Sequence, residues 1–310
     1  MILHHYDFSN FSEKVRLVLG YKNLSWQSVI IPAYAPKPDY IPLTAGYRRT
    51  PALQIGADIY CDTRLIVDVI DRLQPQPSLY PGADEARTRA LCDALISWAE
   101  TGLMRPLALY ISGLHAHTFE AAFHADRAML HGKAQPSVEQ VKASAVKFQA
   151  QVEIQLQWLE DMLQHGYDYM LSEGISAVDF AFYEAPWFLR MLGGNDALPA
   201  SLPKLLAWEE RIRAIGHGSY EEISAADALD VAAHATPLPV QPCTAQIPEG
   251  IALGETVTVS PFDQYSPATG VLTNIDTQRI TIATDESPLG AVHVHFPRLG
   301  YRLGRPRQAR

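Results

Sequence analysis

Tyr47-Arg48-Arg49-Thr50-Pro51-Ala52-Leu53-Gln54-Ile55-Gly56-Ala57-Asp58-Ile59-Tyr60-Cys61-Asp62-Thr63 is the stretch on which the fold turns. A Thr-Pro step leads into a short apolar run over 52–55, Gly56-Ala57-Asp58 makes a turn, and a second run follows over 59–61. Asp62-Thr63 then opens an apolar-periodic segment, which predicts a helix capped by a side chain that accepts an early amide. A proline at a strand start gives no hydrogen to the ladder, and a Thr-Pro bond in a tight turn is a candidate cis bond. The unpaired amides of a helix start can hold a carboxylate.

Working outward, residues 2–8 read as a strand that turns at Ser9-Asn10-Phe11-Ser12-Glu13-Lys14-Val15-Arg16 into a helix whose apolar face runs through Val18 and Leu19. Asn10 with Glu13 fits a variant of the capping box. Taken in order, Ser9-x-x-Ser12-x-Lys14-Val15-Arg16, Thr50-Pro51 and Asp62-Thr63 resemble the N-terminal, thioredoxin-like domain of the soluble glutathione transferases. The resemblance covers residues 1–75.

Composition narrows the alternatives. The chain has 310 residues, enough for two or three cores, and 47% of them are hydrophobic. No run approaches the roughly 18 apolar residues of a membrane helix, and the N-terminus lacks a basic segment followed by an apolar one, so a non-membrane, unexported, cytoplasmic protein is expected. Cys61, Cys92 and Cys243 are far apart with no CxxC, which suggests neither a disulfide framework nor a zinc site and fits a reducing compartment. A net charge of −9 argues against broad nucleic-acid affinity.

Beyond residue 75 the texture changes twice. A turn-rich linker over 74–82 precedes a long helical pattern from Asp84 to about Tyr110, and the chain stays Ala-rich and helical to about Ala233. Ser176-Ala177-Val178-Asp179 is a helix-start box, and a similar box begins the central helix of the transferases' all-α domain. Past Ala235, Pro237, Pro239, Pro242 and Pro248 form a stiff connector. Alternating runs over 255–260, 270–274, 279–283 and 291–296 then predict four short strands, a small antiparallel, SH3-like barrel. The segment Arg298 to Arg310, with five arginines, reads as a solvated, partly disordered tail. The expected domains are thus 1–75, thioredoxin-like and glutathione-binding; 84–233, all-α; and 245–310, a small β module.

The resemblance also implies a chemistry. The thiol of glutathione is mostly protonated near neutrality because its pKa is about 8.5. A hydroxyl at the start of the first helix can favour the thiolate by donating to it, helped by the positive helix end. Two units of pKa need about 2.7 kcal/mol, within reach of one charge-assisted bond and a helix terminus. By position Ser9 matches the family's serine or cysteine and is the expected thiolate stabiliser, with Tyr6 as the rival donor. Asn10 replaces the family's usual proline, and Ser12 its second cysteine. With no cysteine at either place, mixed-disulfide chemistry is not expected.

For binding, the family uses the backbone of the residue before the proline to pair with the cysteinyl part of glutathione, which falls on Thr50 and Pro51. Asp62 and Thr63 fall where the family holds the γ-glutamyl end, with Asp one methylene shorter than the usual Glu. Lys37 lies in the loop where some members place a cation for the glycyl carboxylate, although loop lysines are mostly solvated. The acceptor pocket would lie between Ser9, the region of Tyr110 and later helices carrying Phe119, Phe123, Tyr183 and Trp187; such aromatics are more often core.

A metal is not expected. His117, His124 and His131 recur at seven, so successive pairs on a helix lie roughly 10 Å apart. His293 and His295 share a strand face with no third ligand in view. The expected function is a glutathione transferase-type enzyme acting on an electrophilic small molecule, with detoxification as its setting and a homodimer as its assembly. A non-catalytic transferase-like binding protein, and a glutathione-dependent isomerase or reductase, are the alternatives.

Overall fold

A computed structural model describes residues 1–240, 243–286 and 289–306. The first domain runs β1 (Ile2–His5), α1 (Asn10–Tyr21), β2 (Ser25–Ile30), β3 (Ala52–Ile55), β4 (Asp58–Cys61) and α2 (Thr63–Leu73). β1 pairs parallel with β2 and antiparallel with β3, and β3 turns into β4 antiparallel through Gly56, whose positive φ the tight turn requires. The hairpin is the one the opening stretch predicts, and the Thr50–Pro51 bond is cis.

Alternation along these strands divides the interior. Leu3, Leu53 and Tyr60 face α1, α2 and the helical domain, while Ile2, Ala52, Ile59 and Cys61 face the other side. The helical domain comprises α3 (Glu85–Trp98), α4 (Met104–Leu114), α5 (Ala121–Leu130), α6 (Val138–Met162), α7 (Ala177–Gly193) and α8 (Pro203–Arg213). The long helix expected over 84–110 is interrupted by a π-helical turn over Ala99–Leu103. α7 begins at the Ser176–Asp179 box, as its sequence predicts.

The chain then returns to the first domain. β5 (Ser219–Glu222) adds to β2 in parallel, and α9 (Ala225–His234) packs Ala228 and Ala232 on the second face. The C-terminal strands are β6 (Thr256–Pro261), β7 (Ala268–Ile275), β8 (Arg279–Glu286), β9 (Gly290–Pro297) and β10 (Tyr301–Gly304). They are antiparallel to one another, but β9 pairs parallel with β4, so the whole forms one ten-stranded sheet ordered β10-β6-β7-β8-β9-β4-β3-β1-β2-β5. The four expected strands are present, and a fifth, β10, occupies part of the segment read from sequence as a tail. It pairs with β6 because Tyr301 and Leu303 alternate with Arg302. Residues 307–310 of that expected tail lie outside the described residues.

His293 and His295, which share a face of β9, join two parts of the sheet. His295 Nε2 donates to Asp58 Oδ1 at 2.9 Å, its Nδ1 accepts from Thr281 at 3.0 Å, and His293 stands 3.9 Å from the same carboxylate, so the pair fastens β9 to β4. Among the described residues no helix is long and apolar enough to cross a membrane, and no three His, Cys, Asp or Glu side chains cluster to hold a metal ion.

Buried histidines make the fold acid-sensitive. Burial lowers the pKa of His4 to about 4, and burial with nearby Arg16 lowers that of His5 to about 3. His5 Nδ1 accepts from Arg16 at 2.9 Å, which only the neutral ring can do. An unfolded chain takes up these protons near pH 6.5, so the stability they confer is complete above that pH and lost as the pH falls toward 4. His4 alone contributes about 3 kcal/mol on this account. Urea midpoints should fall clearly between pH 7 and pH 5, and fall less in His4→Gln; equal slopes for the two proteins would contradict this origin.

Candidate active site

The site is built where β1 meets α1, where the cis proline enters β3, and where α2 begins. Ser9 is the N-cap of α1: its Oγ accepts the Ser12 amide at 3.2 Å, and only 2% of the residue is exposed. A hydroxyl that accepts this way still has its proton to donate. Asn10 does not cap the helix, as a capping box had suggested; its Nδ2 reaches across to Glu184 Oε2 at 2.6 Å.

Thr50 sits just beyond the β1–β3 ladder, whose pairing ends at His4 and Ala52. Its Oγ1 accepts from Lys37 Nζ at 2.9 Å, and the same amine donates to the Arg48 carbonyl at 3.2 Å. Lys37 is therefore no solvated loop lysine: it is 4% exposed, with its amine 5.8 Å from the Tyr6 ring centre. Burial, then Arg127 and Arg48, lowers its pKa to about 7. Sequence reasoning underrated it because burial of a loop residue depends on what later packs over the loop.

Asp62 caps α2, with Oδ1 accepting the Arg64 amide at 3.0 Å and a backbone φ of 76°. Its Oδ2 accepts the Tyr301 hydroxyl at 2.9 Å, a contact from β10 that the sequence did not suggest. Burial and neighbouring Glu100 push the Asp62 carboxyl up, while Arg49, the Arg64 amide and Tyr301 hold it down. Thr63 Oγ1 donates to Glu100 Oε1 at 3.3 Å. Behind it lies a cavity of about 20 Å³ edged by Lys14, Thr63 and Glu100, room for about one water.

The expected donors thus have two ends of opposite polarity: Lys37, Arg48 and Arg127 near Thr50, and Asp62 with Glu100 near Thr63. Tyr6 belongs to the first end, its hydroxyl accepting from Arg127 at 3.3 Å. Phe8, Phe119 and Phe123 cluster beside Tyr6, with Phe119 and Phe123 stacked at 4.7 Å and the tilted rings of Tyr6 and Phe8 4.8 Å apart. Tyr183 is not with them: it packs on Trp208 in the helical core. Trp187 stacks on Phe188. A larger cavity of about 530 Å³ opens between α4 and α6 among Arg105, Lys147 and Phe148, and touches none of the expected site residues.

A strap from the C-terminal module crosses this region. In the loop between β6 and β7, Asp263 pairs with Arg49 at 3.1 Å, Ser266 Oγ accepts the Arg48 amide at 2.8 Å, and the Tyr265 amide donates to Leu130 O at 2.6 Å. It ties the segment before Thr50 to the end of α5. α5 is itself bound to the first domain by the Asp126–Arg48 ion pair and by Arg127 donating to Ala33 O at 2.9 Å.

Known proteins share the fold that carries this arrangement. The model of the glutathione S-transferase N-terminal domain matches residues 3–78, and that of the C-terminal domain matches residues 123–217. A solved GST-like protein from Pseudomonas syringae is 34% identical, with 98% of this chain and 99% of that chain covered and a TM-score of 0.76. A glutathione S-transferase from Rhodospirillum rubrum (16% identity, TM-score 0.54, 69% of this chain and 87% of that one) shares the fold. So does Gtt2 from Saccharomyces cerevisiae (19%, 0.53, 69% and 96%). No curated protein matches. Neither family model reaches past residue 217, whereas the Pseudomonas syringae protein aligns over nearly the whole chain, C-terminal strands included. The chain belongs to the glutathione S-transferase family.

Proposed function

We propose that the chain is a glutathione transferase-type enzyme, in which Ser9 stabilises the thiolate of bound glutathione for attack on an electrophilic carbon. The observation that carries this reading is the contrast between the two ends of the candidate site, Lys37 donating to Thr50 at one and Asp62 capping α2 at the other. A tripeptide laid across Thr50 puts its glycyl carboxylate toward buried Lys37 and its γ-glutamyl end toward Asp62 and the α2 amides. Ser9, at the positive end of α1, supplies the hydroxyl proton. The phenylalanines beside Tyr6 offer an apolar wall to the electrophile. A cytoplasmic location fits the three free cysteines, and detoxification would be the setting of such a reaction. We also infer a homodimer, since Ile154 and Trp158 on α6 and Leu91 on α3 are about half exposed.

Thr63 favours a second reading. Its hydroxyl is given to Glu100, which weakens its hold on a ligand carboxylate and suits a protein that binds without turnover. A glutathione-dependent isomerase or reductase would use the same donors as the transferase.

Isothermal titration with reduced glutathione at neutral pH, with a thiol-free tripeptide as control, tests the reading. Saturation in the micromolar-to-millimolar range supports it, and absence of binding by two methods would remove it. In Ser9→Ala the thiol of bound glutathione should titrate about two units higher with affinity little changed, and the helix should lose about 1 kcal/mol of capping. An unchanged thiol pKa would take Ser9 out of the mechanism.

A further inference from the structure

We propose that Tyr301, carried on the C-terminal strand β10, is a positioning residue of the glutathione site that sets its selectivity for a ligand with a free α-ammonium. This rests on the glutathione-binding reading above.

Asp62 has two carboxylate oxygens and two demands. The Arg64 amide donates to Oδ1 as the cap of α2, and the Tyr301 hydroxyl donates to Oδ2 at 2.9 Å, so each oxygen keeps one further lone pair for a ligand. The shorter aspartate is held at a φ of 76°, a backbone region that costs an L side chain energy unless its surroundings over-determine it. Tyr301 is one of those determinants. It is buried, packed between Tyr47 and Phe296 with ring centres 6.2 and 5.7 Å away.

The tyrosine is itself fixed. Its oxygen lies 2.5 Å from the Tyr47 hydroxyl, and since its own proton goes to Asp62, Tyr47 is the donor in that contact. The chain Tyr47 to Tyr301 to Asp62 is a relay of aligned hydroxyls ending on a carboxylate, in which each bond strengthens the next. The Tyr301 bond opposes the rise that burial and Glu100 impose on the Asp62 carboxyl, and it fixes how that carboxylate is turned. An α-ammonium is the ligand group that such an acceptor recognises; a ligand without it leaves a buried charge unpaired.

The test compares two peptides: glutathione, and its analogue in which hydrogen replaces the α-ammonium (glutaryl-cysteinylglycine). The wild-type chain should prefer glutathione by about tenfold or more, the scale of one charge-assisted bond. In Tyr301→Phe that ratio should fall to within about threefold while affinity for the analogue stays unchanged, a pattern that general loosening of the site would not give. If Tyr301→Phe does not fold, Tyr47→Phe, which removes only the supporting hydroxyl, should lower the same ratio part of the way. A ratio unchanged in the variant that folds overturns the role of Tyr301 and leaves the glutathione reading standing. Equal binding of both peptides by the wild-type chain also overturns it. Failure of the wild-type chain to bind either peptide removes the glutathione reading, and the proposal with it.

Discussion

Asp179→Ala is expected to destabilise the protein by about 4 kcal/mol or more, a large share of the roughly 5–15 kcal/mol that holds a typical domain folded. One carboxylate meets four donors. Oδ1 accepts the Met170 amide and the Trp208 indole at 2.9 Å each, and Oδ2 accepts the Ser176 amide at 2.8 Å and its hydroxyl at 2.9 Å. All lie in the buried centre of the helical domain, where an unsatisfied donor costs roughly 1–3 kcal/mol. Alanine removes the acceptor and supplies no water path in its place. Asp179→Asn keeps the shape and part of the bonding and should cost less. Urea unfolding of the two variants checks the order; a loss under about 1 kcal/mol for alanine would show that the four bonds are not what holds α7 in place.

Lys14→Met should cost about 3–5 kcal/mol, for a different reason. The Lys14 amine is 2.8 Å from Glu100 Oε1 and 2.8 Å from Glu184 Oε1, and all three groups are largely shielded from water. Burial alone would drive its pKa down; the two carboxylates overcome this and hold it above the usual lysine range. Deleting the cation strands two anions in low dielectric, and they belong to different elements: the π turn before α4, and α7. Adding Glu184→Gln should recover part of the loss, since one stranded charge goes. If the double variant is no more stable than Lys14→Met, the pairing is not the source of the stability.

The parts of this molecule that could be read in advance are those that short-range chemistry decides. The hairpin over 52–61 follows from a proline, a glycine turn and two apolar runs, and the Asp62 and Asp179 caps from side chains that reach amides within three residues. What stayed hidden depends on partners far along the chain. Lys37 is buried because Thr50 and α5 close over its loop, and Asp62 meets Tyr301 across 239 positions. The strap from Asp263 to Arg49 and the parallel join of β9 to β4 are of the same kind. Tyr301-Arg302-Leu303 carried a strand alternation, but the surrounding arginines masked it. The π turn at 99–103 stayed hidden because its only trace is a one-residue slip in the apolar period, which ordinary irregularity in a helical pattern also produces.

The join of β9 to β4 also has a meaning in time. Asp58 pairs in register with His293, so the outer edge of β4 is completed by a strand made 235 residues later, the difference of the two positions. At about 5–20 residues per second of synthesis, that edge stands open for roughly 10–50 s on every nascent chain. An open edge invites pairing with a neighbour, and an inward-pointing charge discourages it. Asp58 is that charge, and after synthesis it becomes the acceptor for His295 and for the Leu238 amide. One carboxylate thus guards the strand while the chain is incomplete and fastens it once the chain is whole.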